Sequence, residues 1–313
     1  MTKKTDLISV VIACYKDAES IPIMYKRIKE TFKKLSSEYE IIFVNDGSPD
    51  NTTEVLEKIC SNDKNVKAII HSRNFSSQNA FTSGMQNASG DAVVIMDGDL
   101  QDPPELIEDF FKKWKDGYDI VFGNRVRRET SFFLNLSYKL FYRLFNRLSY
   151  IKIPHDAGDF SLMDRKVVNE INQFPENDRF IRGLRAWVGF KQIGVPYVRP
   201  ERMFGKTTNN FFKNVSWAKK GIFSFSFFPL EFISYLSYFI VLISFLAIIF
   251  YFVFYFLNPG EPKGFTTIIL LVLFLGGVQL LCFSFISEYI GKILQETKKR
   301  PMYIIEKKIN FGK

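Results

Sequence analysis

The sequence predicts an α/β catalytic domain with a mostly parallel sheet, followed by amphipathic helices at a membrane interface and two transmembrane helices. Apolar strand-like runs alternate with helical patterns over residues 1–125, which is typical of a doubly wound sheet. A basic amphipathic segment follows at 131–150. Two stretches without charge, at 232–257 and 268–286, each reach the length of roughly 20 residues that a membrane-crossing helix needs.

The first predicted strand is the apolar run at residues 7–14, Leu-Ile-Ser-Val-Val-Ile-Ala-Cys, which is typical of a parallel strand buried on both faces. Apolar residues at helical spacing predict a helix at 20–35, with Ser20 as its N-cap and Pro22 in its first turn. A second strand is predicted at 39–44, and Asn-Asp-Gly-Ser follows it.

The alternation continues toward a strand end that carries two acids. The further predicted elements are a helix at 51–60, a strand at 66–71, a helix at 77–88 and a strand at 92–96. In sheets of this kind, ligands bind at the carboxyl ends of the strands. Asp46, Asp97 and Asp99 all follow predicted strands, so we expect the site at this edge of the sheet.

The pair of acids predicts a cation. Asp97 and Asp99 are separated by Gly98, and in an extended chain residues two apart point to the same side. Two such carboxylates repel each other unless a cation lies between them, and Mg²⁺ or Mn²⁺ held by carboxylates and ligand phosphates is the expected ion. Gln101 would face the same site. Asp102, which precedes two prolines, is interpreted as a helix N-cap rather than as a catalytic acid.

The composition favours an anionic partner. Lys and Arg number 42 against 33 Asp and Glu, which makes the net charge +9. Such a chain binds nucleic acid, a phospholipid surface or a phosphorylated substrate, and because a membrane face explains the charge here, no nucleic-acid partner is expected. The three cysteines and two histidines show no metal-binding or disulfide spacing, which favours a cytoplasmic environment. No signal peptide is expected.

Basic residues flank the apolar stretches and predict the membrane topology. Lys139, Arg143 and Arg147 form one stripe of the segment at 131–150, which fits a helix at a membrane interface or, alternatively, a helix packed on the soluble domain. The other flanking basic residues are Lys213, Lys219, Lys220, Lys292, Lys298, Lys299 and Arg300. Because positive charge stays on the cytoplasmic side, both termini are expected in the cytoplasm and the connection at 258–264 outside.

Several short motifs together carry a family resemblance. They are Ser-Val-Val-Ile-Ala-Cys-Tyr at 9–15, Val-Asn-Asp-Gly-Ser at 44–48, Met-Asp-Gly-Asp-Leu-Gln-Asp-Pro-Pro-Glu at 96–105, Gly-Asp-Phe-Ser-Leu-Met-Asp at 158–164, Arg-Phe-Ile-Arg-Gly at 179–183, Arg-Met-Phe-Gly-Lys-Thr at 202–207, Ser-Phe-Ser at 224–226 and Glu-Tyr-Ile-Gly at 288–291. In these motifs the chain resembles family 2 glycosyltransferases with the GT-A fold. It is most similar to the polyprenyl-phosphate glycosyltransferases, the group that includes dolichol-phosphate mannose synthase and the bactoprenol glucosyltransferases.

The resemblance implies a reaction. A sugar would pass from a nucleotide-diphosphate sugar, of the UDP-glucose type, to polyprenyl (undecaprenyl) phosphate at the cytoplasmic face of the plasma membrane, with inversion at the sugar carbon. Mg²⁺ or Mn²⁺ is the implied cofactor. The sugar and the base stay open, since uracil would suit a glucose-type enzyme and guanine a mannose-type enzyme.

The resemblance also implies site residues. The donor-binding residues would be Ala13, Tyr15, Asp17, Asp46, Asp97, Gly98, Gln101 and Arg125, and the metal ligands Asp97, Asp99 and Gln101. The acceptor phosphate would be held by Arg128, Arg202 and Lys206. Asp99 and Asp159 would be catalytic, with Asp156 as the alternative to Asp159.

The expected domain boundaries follow from these assignments. They are a cytoplasmic glycosyltransferase domain at 1–228 with interface helices at 131–150 and 207–228, a two-helix transmembrane domain at 229–290, and a basic cytoplasmic tail at 291–313. Gly276 and Gly277 would allow close helix packing, so a homo-oligomer is compatible with the sequence.

Two other functions stay open at this point. A processive polysaccharide synthase is disfavoured because the spacing at 185–187 breaks the expected Gln-x-x-Arg-Trp signature and two spans are few for a polymer channel. A non-catalytic membrane scaffold is disfavoured because Asp97, Asp99 and Asp159 are intact. The chain also departs from the usual family pattern after the first strand, where Asp17 replaces Glu and Lys16 replaces Asn.

Overall fold

The computed structural model describes residues 5–125, 151, 154, 157–200, 203–204, 225–257 and 264–312. Several sequence-based predictions lie outside these residues. They are the interface helix at 131–150, most of the one at 207–228, the connection at 258–263, and the side chains of Arg128, Asp156, Arg202 and Lys206.

In the described part of the chain, eight strands form one sheet in the order β7-β5-β6-β4-β1-β2-β3-β8. They are β1 (Leu7–Cys14), β2 (Glu38–Asn45), β3 (Val66–His71), β4 (Ala92–Asp97), β5 (Ile120–Arg125), β6 (Ala157–Asp164), β7 (Gln192–Tyr197) and β8 (Ile305–Ile309). The central strands β3, β2, β1 and β4 are parallel, and β7 is parallel to β5. The predicted mostly parallel α/β sheet is confirmed.

Helices cover both faces of the sheet. One face carries α1 (Ile21–Lys34), α2 (Thr52–Asn62) and α4 (Ile107–Lys115), and the other carries α3 (Ser77–Asn87), α5 (Arg165–Gln173) and α6 (Ile181–Trp187). Both faces of the sheet are covered because both are apolar. In strand β1, for example, alternate side chains point to opposite faces. Val10 and Ile12 enter the first core, whereas Val11 enters the second.

Strand β6 is antiparallel to its neighbours, and this positions the site. It pairs with β4 in the register Ala92↔Asp164 to Ile95↔Ser161, and it is also antiparallel to β5. The beginning of β6 therefore lies beside the carboxyl ends of β4 and β5. Asp159 comes to the same edge as Asp97 although it stands near the start of its strand.

Of the two predicted helix caps, one is confirmed in position and one is wrong. Ser20 is the N-cap residue of α1 and a proline lies in the first turn, although the Ser20 side chain makes no capping hydrogen bond. Asp102 does not cap the 3₁₀ turn at Pro104–Leu106, and its buried carboxylate instead accepts a hydrogen bond from the hydroxyl of Tyr197 at 2.9 Å. A buried carboxylate needs such a partner, and this need outweighs the local preference for a cap.

Two long helices, α7 (Phe228–Leu257) and α8 (Phe265–Thr297), follow the catalytic domain. Within them, Phe228–Ala247 and Leu271–Thr297 are long and apolar enough to cross a membrane. Large apolar side chains are exposed along both helices, for example Leu280 at 71%. Length, composition and exposure agree with the prediction of two membrane helices.

The chain after α8 returns to the sheet, which the sequence patterns did not predict. We call residues 298–312 the return segment. Its strand β8 pairs antiparallel with β3, in the register Ala68↔Ile309 to Ile70↔Lys307. The side chain of Asn310 donates hydrogen bonds to the carbonyls of Cys60 and Val66, at 2.6 and 2.8 Å. Of the expected basic tail at 291–313, residues 291–297 belong to α8, and Ile305–Ile309 form an edge strand of the catalytic domain.

Candidate active site

The predicted acids lie at the carboxyl end of β4, and both are close to the guanidinium group of one arginine. Asp97 is the last residue of β4, and Asp99 follows it by two positions. Nη2 of Arg199, just beyond β7, lies 4.0 Å from Oδ2 of Asp97 and 4.0 Å from Oδ2 of Asp99. One positive group therefore reaches both carboxylates, as expected for side chains that point to the same side of an extended chain.

The turn after β4 is held closely against the end of β1. The backbone N–H of Gly98 donates to the carbonyl of Ala13 at 2.9 Å. A Cβ at Gly98 would lie 3.0 Å from Sγ of Cys14 and 3.3 Å from Oδ2 of Asp17. Leu100 then adopts φ 63°, a left-handed conformation that costs a non-glycine residue on the order of 1 kcal/mol. The absence of a side chain at Gly98 allows this close approach.

Electrostatic repulsion opposes ionisation of Asp97. Burial in the cleft raises the pKa of Asp97 well above its ordinary value, and nearby carboxylates raise it further. Those carboxylates belong to Asp102, Asp99 and Asp159, and the charge of Arg199 offsets them only in part. Because 37% of the Asp97 side chain is exposed, solvent screens some of this repulsion. A bound cation would relieve the remainder.

Asp102 belongs to the site instead of to a helix cap. Tyr197 ends β7 and donates its hydroxyl to Oδ1 of Asp102, while Nε of Arg125, at the end of β5, donates to the Tyr197 oxygen at 3.2 Å. Burial raises the pKa of Asp102, although the charges of Arg199 and Arg125 act in the opposite direction. This chain of hydrogen bonds brings the predicted donor-binding residue Arg125 into the same cluster as the acids.

The carboxylate of Asp159 is held in place by hydrogen bonds from two side chains. Nε and Nη2 of Arg182, in α6, donate to its two carboxylate oxygens at 3.0 and 3.3 Å. The side-chain amide of Gln78, in α3, donates to Oδ2 at 3.1 Å and accepts a hydrogen bond from the backbone of Ile181 at 2.8 Å. Burial would raise the pKa of Asp159, but the charge and hydrogen bonds of Arg182 and the charge of Arg185 hold it below its ordinary value.

Arg185 is a buried cation beneath Asp159. Its side chain is 1% exposed, and its Nη2 donates to the carbonyl of Gly158 at 3.2 Å. The guanidinium stacks over the ring of Phe122 at 4.9 Å. Burial lowers the pKa of Arg185 to about 10. The ionised carboxylate of Asp159 is the charge that compensates this buried cation.

Asp46 lies at the end of β2, beside the start of the same cleft. Its backbone N–H donates to the carbonyl of Cys14 at 3.0 Å. Its Oδ1 accepts hydrogen bonds from the backbone of Phe75 at 2.8 Å and from Nδ1 of His71 at 2.9 Å. Gly47 adopts φ +62°, and a Cβ there would lie 2.3 Å from the backbone of Arg73. Only glycine allows these two loops to approach so closely.

The loop after β1 carries the other predicted donor-binding residues. The carboxylate of Asp17 is buried and accepts the backbone N–H of Tyr15 at 2.9 Å, while the Tyr15 side chain is 38% exposed. Lys16, between them, adopts φ 61° and donates its N–H to the hydroxyl of Ser48 at 2.6 Å. Ala13 is buried within β1, so it can present little more than backbone to a ligand.

Both the backbone and the side chain of Gln101 make hydrogen bonds that hold the turn after β4. Its backbone N–H donates to Oδ1 of Asp99 at 3.1 Å, and its side-chain amide donates to the carbonyl of Pro200 at 3.2 Å. Gln101 thus ties the acidic turn to the loop that carries Arg199. Its role as a metal ligand stays a prediction.

The structure gathers residues from the carboxyl ends of β1, β2, β3, β4, β5 and β7 and from the start of β6 at one edge of the sheet. Sequence reasoning missed four of the residues that hold the acids in place, namely Gln78, His71, Tyr197 and Arg199. Polar residues at or just after strand ends would have been a signal for His71, Tyr197 and Arg199. Gln78 carries no such signal, because it lies in α3 and its partner Asp159 is distant in sequence.

The family of the chain follows from comparison with known proteins. Residues 9–171, which include most of β1, all of β2 to β6 and both acids of the 97–99 turn, match Glycosyl transferase family 2. The chain belongs to glycosyl transferase family 2. The fold predicted from the resemblance agrees with this membership.

Several curated relatives match nearly the whole chain. An uncharacterized glycosyltransferase of Synechocystis is 41% identical over 300 residues, covering 95% of this chain and 94% of the relative. The bactoprenol glucosyl transferase of Shigella phage SfII is 40% identical over 306 residues, covering 96% and 97%. A prophage bactoprenol glucosyl transferase homolog of Escherichia coli is 38% identical and covers 96% and 98%.

Solved structures are more distantly similar. The mannosyl-3-phosphoglycerate synthase from Rubrobacter xylanophilus is 16% identical with a TM-score of 0.48, covering 70% of this chain and 72% of that one. The mannosyltransferase PcManGT from Pyrobaculum calidifontis, solved with GDP-Man and Mn²⁺, is 18% identical with a TM-score of 0.46, covering 66% and 59%.

Proposed function

We propose that this glycosyltransferase moves glucose from a nucleotide-diphosphate glucose, UDP-glucose in type, to polyprenyl phosphate at the cytoplasmic membrane face. The observation that carries the proposal is the acidic turn at the end of β4, where Asp97 and Asp99 both lie near the guanidinium of Arg199 and close to Asp159. Full-length similarity to bactoprenol glucosyl transferases supports the choice of sugar and acceptor.

The donor would lie across the ends of β1, β2 and β4. Tyr15, Asp17 and Asp46 would hold the base and ribose, because they line the loops on the β1–β2 side. The diphosphate would lie against the acidic turn, and Arg125 and Arg199 would bind its oxygens from the β5 and β7 side.

A divalent cation fits the acidic turn. Carboxylate oxygens are the ligands that Mg²⁺ and Mn²⁺ prefer, and Asp97 and Asp99 already reach a common positive group. Among the described residues, no group of three or more His, Cys, Asp or Glu side chains stands ready as a metal site, so the remaining ligands would come from phosphates and water. When bound, the ion would neutralise charge that develops on the leaving nucleoside diphosphate.

The protein would supply orientation rather than a strong base. A polyprenyl phosphate oxygen is already anionic at neutral pH, so attack on the sugar carbon needs positioning more than proton removal. Asp159 is held ionised by Arg182 and Arg185, is oriented by Arg182 and Gln78, and would fix the sugar or the acceptor in line, which gives inversion in a single displacement. Arg128, Arg202 and Lys206 are the proposed acceptor-phosphate ligands.

The return segment supports the proposed topology. Strand β8 is hydrogen-bonded to β3, so the chain after α8 lies on the same side of the membrane as the catalytic domain. An even number of crossings is therefore required, and α7 and α8 supply two. With the positive-inside rule, the catalytic domain would face the cytoplasm, where nucleotide sugars are made.

A transfer assay tests the proposal. Purified protein in detergent is incubated with undecaprenyl phosphate, Mg²⁺ or Mn²⁺ and a panel of radiolabelled sugar nucleotides, and label entering the lipid phase is counted. We expect transfer from UDP-glucose that is lost with EDTA and falls roughly 100-fold or more in Asp99→Asn.

The matched control is Asp109→Asn, because Asp109 is an exposed acid whose carboxylate, within residues 5–125, pairs with a surface lysine of its own helix turn, Lys112. Its transfer rate should equal that of the unaltered protein. Transfer from a different sugar nucleotide would revise the donor, and no transfer from any donor by folded protein would contradict the proposed function.

A further inference from the structure

The return segment reaches the donor side of the site through Tyr303. We propose that Tyr303 is a positioning residue for the nucleotide: it holds His71, and His71 holds Asp46. The inference rests on the proposed function for the role of Asp46, and it assigns to the chain beyond the membrane helices a part in donor binding.

Tyr303 covers the face of the His71 ring. The two rings are 5.1 Å apart between centroids and inclined by 11°, which is a stacked arrangement. The Tyr303 hydroxyl is hydrogen-bonded to the side chain of Gln86 in α3. Phe75 meets the His71 ring edge-on at 5.8 Å. His71 is therefore confined by aromatic contacts on two sides, and one of the two comes from the return segment.

Within the part of the chain that the structure describes, the His71 ring has one polar partner, Asp46. Nδ1 lies 2.9 Å from Oδ1 of Asp46, and a carboxylate can only accept, so Nδ1 carries the proton of this bond. Nε2 is buried and has no hydrogen-bond partner among the described residues. A ring held by a single hydrogen bond depends on packing for its orientation, and Tyr303 provides that packing.

Asp46 gains its orientation from the same contact. Its Oδ1 takes both the His71 hydrogen bond and the backbone N–H of Phe75 at 2.8 Å. These two donors set the plane of the carboxylate without using Oδ2. A carboxylate that binds a ribose or base must be held in one orientation before the ligand arrives, since disorder there would cost affinity.

The return segment is anchored firmly enough to act as a support. β8 pairs with β3 on one side, and the backbone N–H of Ser72 donates to the carbonyl of Ile304 at 3.0 Å, directly beside Tyr303. Lys307 pairs with Glu57 at 2.7 Å on the far side of the strand. Tyr303 thus stands on a fixed backbone at the point where the chain from α8 joins the sheet.

The test separates donor binding from the rest of catalysis. Tyr303→Leu removes the stacked ring but keeps an apolar side chain, and Tyr303→Phe keeps the ring. We expect Tyr303→Leu to raise KM for the sugar nucleotide about 3- to 10-fold, the range for one aromatic pair, with kcat and KM for undecaprenyl phosphate within about 2-fold. Tyr303→Phe should keep KM for the donor within about 2-fold.

Binding of UDP, with GDP in parallel, is measured by calorimetry without lipid acceptor, so the inference is tested even if transfer fails. Tyr303→Leu should weaken binding by the same factor as KM. In a His71→Phe background, which lacks the donor to Asp46, Tyr303→Leu should add no further loss, because its effect passes through that hydrogen bond. Ile304→Ala, next in sequence and 52% exposed, is the matched control and should bind normally.

Unchanged UDP affinity in Tyr303→Leu, a loss equal to that in Ile304→Ala, or full additivity with His71→Phe would overturn the inference. A rise in KM for the lipid acceptor alone would also overturn it. Normal nucleotide binding without any transfer would count against the proposed function. The inference about Tyr303 would then be decided by the UDP affinity of Tyr303→Leu alone. Binding of neither UDP nor GDP by the unaltered protein would contradict both.

Discussion

At the scale of single residues, the site is a set of acids whose charges are controlled by specific partners. Asp97 is opposed by three neighbouring carboxylates, whereas Asp159 is supported by Arg182 and Gln78. The two acids therefore differ in what they can do. A bound cation would stabilise the ionised form of Asp97. The ionised carboxylate of Asp159 is already balanced by arginine charges of the protein and held in one orientation.

Arg182→Gln should show the positioning role of the Asp159 pair. Loss of the two-pronged hydrogen bond would let Asp159 move, and we expect the transfer rate to fall about 10- to 100-fold while UDP affinity changes less than about 2-fold. Because Arg182 lowers the pKa of Asp159, its removal raises that pKa, and the acid limb of the pH–rate profile should shift to higher pH.

Arg27→Gln is the control for that substitution, since Arg27 also makes a two-pronged bond, to Glu105, but on the surface. It should leave both the rate and the pH profile unchanged. An acid limb that stays in place in Arg182→Gln would show that Asp159 does not need to be ionised.

At the scale of elements, one buried acid joins the strands that carry the site. Glu40 in β2 accepts hydrogen bonds from Ser9 in β1 at 2.5 Å, from Lys67 in β3 at 2.6 Å and from the backbone of Ser89, before β4, at 2.6 Å. Three neighbours of the parallel sheet thus meet at a single carboxylate. Their register, which places the strand-end acids together, depends partly on this contact.

Glu40→Gln should destabilise the fold in a pH-dependent way. Burial alone would raise the pKa of Glu40, but hydrogen bonds from Lys67, Ser9 and Ser89 hold it below its ordinary value. The stabilisation is therefore present above the unfolded-state pKa and is lost as pH falls through the folded-state value. We expect a loss of about 2 kcal/mol in the free energy of unfolding at pH 7 and a smaller loss near pH 4.

Denaturant unfolding in detergent at both pH values measures this. Glu38→Gln, in the same strand but exposed, should unfold like the unaltered protein at each pH. A Glu40→Gln penalty that is equal at pH 7 and pH 4 would mean that packing, not charge, stabilises this contact.

At the scale of the whole molecule, the end of the second long apolar helix, α8, is bonded to the catalytic domain. The carboxylate of Glu296, near the end of α8, accepts the backbone N–H of Asn177 at 3.0 Å, and Lys292 pairs with Asp178 at 3.3 Å. These contacts hold the loop before α6, which carries Arg182. Beyond α8, the return segment carries Tyr303, whose ring stacks on His71, so the chain at and after the end of α8 is linked both to the loop before Arg182 and to His71.

Cysteine labelling in cells tests the topology that this arrangement requires. In a Cys282→Ser background, Lys263→Cys in the α7–α8 connection should react with a membrane-impermeant maleimide in intact cells. Lys307→Cys, in β8, should react only after permeabilisation. Labelling of Lys307→Cys from outside would contradict the proposed cytoplasmic catalytic domain, and equal protection of both positions would contradict two crossings.

Much of the fold was predictable because its signals are local. The strands β1 to β4 and the helices between them were predicted from periodicities of two and 3.6 residues, which a short window of sequence reveals. The acids at 97 and 99 were predicted because a strand end and a spacing of two are also local features. The same locality explains the failure at Asp102, where a good local cap pattern lost to a buried tyrosine 95 residues away.

The sequence by itself therefore determined the layered α/β domain, the two apolar helices and the positions of the acids. Only the tertiary structure decided which arginine and amide side chains hold the acids, and that the chain after the two long apolar helices returns to the sheet. Gln78 and Asp159 are 81 residues apart, and Tyr303 and Gln86 are 217 apart. Such pairings arise from the antiparallel β6 and the edge strand β8. Which strands pair, and in which register, depends on how the whole chain buries its apolar faces, and no short segment contains that information.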